Sequence, residues 1–169
     1  MNPTPSLSSK ALQISTPTDT TIVLTREFNA PRRLVWEAMF TPDRMRRWML
    51  PPPGWTLTVC ECEPRVGGAL RLAWKNQDAD PFMTLQGEFT EVNPYERIVH
   101  TETMALASGE PVGSQLETHE FTEKSGVTTM RITQVYESKD ARDGAIASGM
   151  DEGMEACYVQ LEAVLAQPA

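Results

Sequence analysis

At 169 residues with 40% hydrophobic content, the chain is long enough to bury one core without disulfide or metal staples. Its formal charge of −8 argues against a nucleic-acid partner and equally against an anionic membrane surface. No run approaches the roughly 20 apolar residues of a membrane span. The start of the chain has no apolar segment of signal-peptide type, and three cysteines form no framework, so a cytoplasmic protein is expected.

Residues 1–19 are rich in Ser, Thr and Pro without a hydrophobic period and are expected to be a disordered or loosely attached tail. A single domain is expected over 20–169. Thr21 to Phe28 is β-branched and then alternating, which predicts a strand. Pro31 suits the first turn of a helix whose apolar stripe is Leu34, Val35, Ala38 and Met39. Thr41-Pro42-Asp43 restarts a short helix through Trp48, which Pro51-Pro52-Pro53-Gly54 stops. Arg44, Arg46 and Arg47 form its solvated face, or meet an acidic ligand group.

Strands then follow over Trp55 to Glu63, Ala69 to Lys75, Phe82 to Val92, Arg97 to Met104, Gln115 to Glu123 and Val127 to Tyr136. Without long helices between them, neighbours should be antiparallel. From Ser138, apolar residues at Ile146, Met150, Met154, Cys157, Leu161, Val164 and Leu165 predict one helix roughly 40 Å long. Gly149 and Gly153 lie on or beside its apolar face and suggest close approach to a strand or ligand. One helix covers only part of such a sheet, so a cavity is expected between them unless large side chains fill it.

The string Arg26-Glu27-Phe28-Asn29-Ala30-Pro31 and then Val35-Trp36-Glu37-Ala38 resembles the opening of one branch of the START-like (SRPBCC) superfamily. That branch is grouped with the C-terminal domain of the activator of the heat-shock protein 90 ATPase. Thr41-Pro42-Asp43 with Arg47-Trp48 resembles its second-helix signature, with Met49 where a second Trp is usual. Val59-Cys60-Glu61 through Gly67-Gly68, and Gly87-Glu88-Phe89 through Val99, resemble its central strands. Val66 stands where proline is common, and Met154 where a Trp often follows Gly153.

The resemblance implies an α+β helix-grip fold: a curved antiparallel sheet of six to seven strands around a long C-terminal helix. It also implies a small hydrophobic ligand, lipid-like or aromatic and polyketide-like, in an internal cavity. A cyclase- or hydrolase-like enzyme is the alternative, and a chaperone-associated interaction module is a further one. The chaperone role is disfavoured because this chain lacks the additional N-terminal domain of the full activator. A homodimer stays open, and no cofactor is expected.

His100 and Glu102 share one strand face, as do Glu117 and His119 on the next strand. With Thr103 opposite Leu116, Glu102 would sit beside Glu117 and His100 beside His119. A slip of one residue would destroy the cluster. Two imidazoles and two carboxylates are plausible metal ligands, but a polar patch in a ligand cavity is the preferred reading and no metal is assigned. His119, Phe121, Met130, Gln134 and Tyr136 are placed toward the helix, with Trp48, Trp74, Met150 and Met154 as candidate cavity walls. Cys60-Glu61-Cys62 has no second pair to complete a metal site.

Overall fold

The computed structural model describes residues 11–51, 53–77, 82–106 and 108–168. Residues 1–10 of the expected tail lie outside them. The elements are β1 (Gln13–Thr18), β2 (Thr21–Phe28), α1 (Arg32–Phe40), α2 (Pro42–Trp48), β3 (Trp55–Cys62), β4 (Ala69–Asn76), β5 (Phe82–Asn93), β6 (Arg97–Leu106), β7 (Pro111–Lys124), β8 (Val127–Tyr136), α3 (Lys139–Ala147) and α4 (Met150–Leu165). The eight strands form one antiparallel sheet in the order β1-β2-β8-β7-β6-β5-β4-β3. This is a helix-grip α+β fold, with α1 and α2 inserted between β2 and β3.

Two features differ from expectation. Residues 13–18 of the predicted tail form β1, which hydrogen-bonds to β2 and adds an eighth strand at the sheet edge. The C-terminal helix is also not continuous. Ser148 closes α3, and Gly149 adopts φ 76° before α4 begins, so α4 runs for 16 residues, about 24 Å at 1.5 Å per residue. Apolar spacing carries straight through this break and does not reveal it.

The glycines of this segment are not sites of close approach. A Cβ built on Gly149 or on Gly153 meets nothing within 4 Å. Gly149 is required by its left-handed backbone, which other L-residues adopt at a cost. Gly149→Ala should therefore cost about 1 kcal/mol. Gly153→Ala, inside α4 with open space around it, should stabilise by up to about 1 kcal/mol. Urea melts of the two variants check the contrast; equal shifts would contradict it.

The even-numbered residues of β2 and β8 and the odd-numbered residues of β7 turn toward the helices. Phe28, Phe121, Met130 and Ile132 are fully enclosed there, packed with Ile98, Phe89 and Leu161. Trp36 and Phe40 from α1 join this group edge-on to Phe121. Trp48, expected as a cavity wall, is core: it is buried and its Nε1–H donates to the Ala38 carbonyl at 2.8 Å. The Lys124–Val127 hairpin turns through Ser125 and Gly126, both at positive φ, the pattern that matches strand twist in a two-residue loop.

Candidate functional site

Burial along the concave face falls off toward one end on β8, β7, β6 and β4. On β8, Met130 and Ile132 are enclosed, Gln134 is buried, and Tyr136 is half-exposed. On β7 the order Phe121, His119, Glu117, Gln115 repeats this, and on β6 so does Ile98, His100, Glu102, Met104. On β4, Leu70 and Leu72 are buried and Trp74 is not. Helix α4 follows the same gradient, from buried Val164, Leu161 and Tyr158 to half-buried Met154 and Met150. The grip is thus filled at one end and loosely filled at the other, where Trp74, Met104, Tyr136, Met150 and Met154 pack against the core from a half-buried position.

The polar residues gather at the boundary between these ends. The β6–β7 register is two residues away from the expected one: His100 faces Glu117, Glu102 faces Gln115, and Thr103 faces Ser114. A slip of two preserves the face, so all four expected residues still converge. His100, Glu117, His119 and Gln134 are only 2%, 7%, 4% and 3% exposed.

Glu117 is the hub. Its Oε2 accepts from Gln134 Nε2 at 2.8 Å and from Gln115 Nε2 at 3.1 Å. Its Oε1 lies 2.6 Å from His119 Nε2 and 3.9 Å from His100 Nε2. Gln115 also donates to Glu102 Oε2 at 2.7 Å, and the Tyr136 hydroxyl donates to Gln134 Oε1 at 3.1 Å. The same hydroxyl is 3.9 Å from the Met150 sulfur, which ties the network to the first turn of α4.

The electrostatics follow from this geometry. Burial alone would raise the Glu117 carboxyl, but the His119 hydrogen bond, the two imidazoles and Gln134 bring it down to about 2. Burial, and then the neighbouring Glu117, hold Glu102 well above the ordinary carboxylate range. Burial lowers His100 to about 4 despite Glu117. Burial and the two glutamates push the Tyr136 hydroxyl up. At neutral pH the site therefore holds an ionised Glu117 beside a neutral His100, with Glu102 shifted in the direction of its protonated form.

Aromatic rings close the cluster on the filled side. Phe89, opposite His100 on β5, sits edge-on to it at 5.3 Å, and Phe40 meets His119 at 5.5 Å. The expected walls Phe121 and Met130 belong to this enclosed side, whereas Trp74, Met150 and Met154 lie on the looser side. Depressions of about 200 Å³ at Asn29, Glu162, Leu165 and Ala166, and of about 360 Å³ at Thr56, Thr58, Lys75 and Gln77, touch none of the cluster. The expected cavity over the polar residues is not one of these two depressions.

Sequence reasoning did not single out Gln115, although period two from Glu117 puts it on the same face. Nor did it single out Arg26, which lies between Leu24 and Phe28 on the buried face of β2. Its guanidinium is clasped by both oxygens of Glu155, at 2.9 and 3.0 Å, and by Glu162 at 3.0 Å. The α2 arginines do not reach the cluster: Arg44 pairs with Glu37, and Arg47 donates to Gln167. Cys60 and Cys62 are buried on β3, where burial pushes the Cys62 thiol up to about 12.

The family described as Activator of Hsp90 ATPase homolog 1-like protein matches residues 29–166. The chain belongs to that family. It is a branch of the START-like (SRPBCC) superfamily, as the opening and central strings suggested. Solved structures agree. A protein from Rhodobacter sphaeroides superposes with a TM-score of 0.82 at 28% identity, over 92% of this chain and 97% of its own. One from Arthrobacter aurescens gives 0.78 at 25%, over 93% and 92%. Protein Ms6760 from Mycobacterium smegmatis, at 23% identity and TM-score 0.79 over 93% and 98%, shares the fold. No curated protein matches. Among the described residues no helix is long and apolar enough to cross a membrane.

Proposed function

We propose that this family member binds a small, largely apolar molecule between the concave sheet face and the start of α4, with a polar end reaching the Glu117 network. One observation carries this reading: the same gradient of burial on β4, β6, β7, β8 and α4 leaves Trp74, Met104, Tyr136, Met150 and Met154 half-buried around buried polar groups. Ligand sites combine an apolar lining with a few placed polar groups in this way. The family supports it, since related START-like proteins often take hydrophobic ligands.

Titration with the neutral fluorescent amphiphile N-phenyl-1-naphthylamine tests the reading. Saturable binding is expected, and Trp74→Ala should weaken it about tenfold by removing a large apolar wall. Unchanged affinity in Trp74→Ala, or no saturable binding at all, would refute the assigned location. A second reading, acid–base catalysis of a cyclase or hydrolase kind, draws on the 2.6 Å His119–Glu117 contact. The chaperone-associated reading rests on the family description alone.

A further inference from the structure

We propose that His100, Glu117 and His119 form a buried divalent transition-metal site, suited to Zn²⁺, with Glu102 as the partner that orients His100. One donor atom from each of the three lies within 4.8 Å of the other two. Tetrahedral bonds of about 2.0–2.2 Å place ligand atoms about 3.3 Å apart. The 2.6 and 3.9 Å separations of Glu117 Oε1 from the two imidazole nitrogens straddle that value. Gln134 and Gln115 hold the other carboxylate oxygen, so Oε1 is left to face both rings.

Two further features fit an ion: a carboxylate behind one imidazole and an apolar shell. His100 Nδ1 lies 3.6 Å from Glu102 Oε1, the order of groups in a carboxylate–imidazole–metal relay. Phe40, Phe89 and Phe121 supply the apolar shell. Imidazole and carboxylate donors favour Zn²⁺ over Mg²⁺ or Ca²⁺, which take oxygen alone. This inference is independent of the ligand reading.

The test uses the full chain stripped with a chelator and titrated with ZnCl₂ by calorimetry, with Co²⁺ as a spectroscopic substitute. Saturable 1:1 binding is expected, together with a Co²⁺ spectrum of nitrogen and oxygen donors lacking a thiolate band. His119→Gln and Glu117→Gln should abolish binding, with far-UV circular dichroism checking that they fold. Glu102→Gln should weaken it about 10- to 100-fold. Absence of 1:1 binding by the unmodified chain would overturn the proposal. A thiolate band, which would put the ion on Cys60 and Cys62, would overturn it equally.

Discussion

Arg26→Ala should lower the unfolding free energy by about 3 kcal/mol, read as a fall in urea midpoint without a change in slope. The guanidinium is 2% exposed and has no solvent to return to. Its donors are taken by Glu155, by Glu162 and by the Glu27 carbonyl, and its carbon lies 4.9 Å over the Phe28 ring. Removing it leaves two carboxylates on one face of α4 with no cation between them, and an empty volume against Phe28. The two glutamates keep about a third of their side-chain surface in water, at 31% and 33%, so the effect sits at the low end for a broken buried pair. Arg26→Met should cost about half as much, because it refills the volume and loses only the charge pairing. Equal losses in the two variants would place the whole effect in the charge pairing and none in packing. Glu155 also accepts from the Leu12 N–H at 3.0 Å, so the clasp joins α4, β2 and the approach to β1.

The parts of this molecule that were legible in the sequence are those governed by period. Strand alternation assigns a face to His100, Glu102, Glu117 and His119 whatever their neighbours, and that assignment survives a register two residues away from the expected one. Register itself depends on the turn between β6 and β7, and the sheet there carries an irregularity between Met104 and Ala105 that no periodicity reports. β1 escapes a hydrophobic pattern because Ser, Thr and Pro make up most of it and Ile14, its apolar residue, is 39% exposed. An edge strand with one partner needs little more. The break before α4 is invisible for the opposite reason: its apolar residues keep helical spacing across Gly149. Arg26 stands on the buried face by parity alone, but its partners lie 129 and 136 residues away, and only the fold brings them together.

Gly87→Ala should cost about 2–3 kcal/mol and also disturb the polar cluster, whereas Gly113→Ala should change stability little. Gly87 stands on the concave face of β5 between Leu85, which pairs with Met104, and Phe89, which pairs with His100. A Cβ built there falls 1.8 Å from the Thr101 carbonyl oxygen and 3.7 Å from the Glu102 Cα. Both obstacles are backbone of β6, so no side-chain rotation relieves them; the two strands must separate. The separation would act on the stretch that presents His100 and Glu102 to β7, and beside which the β5–β6 register shifts between Phe89 and Glu91. At Gly113 on β7 an added Cβ meets nothing within 4 Å. Thermal melts and Zn²⁺ titration of both variants separate the effects. Loss of stability with intact Zn²⁺ affinity in Gly87→Ala would mean that the sheet yields on the β4 side of β5 and leaves the cluster in place. Loss of both would make this close approach of β5 and β6 a determinant of the site as well as of the fold.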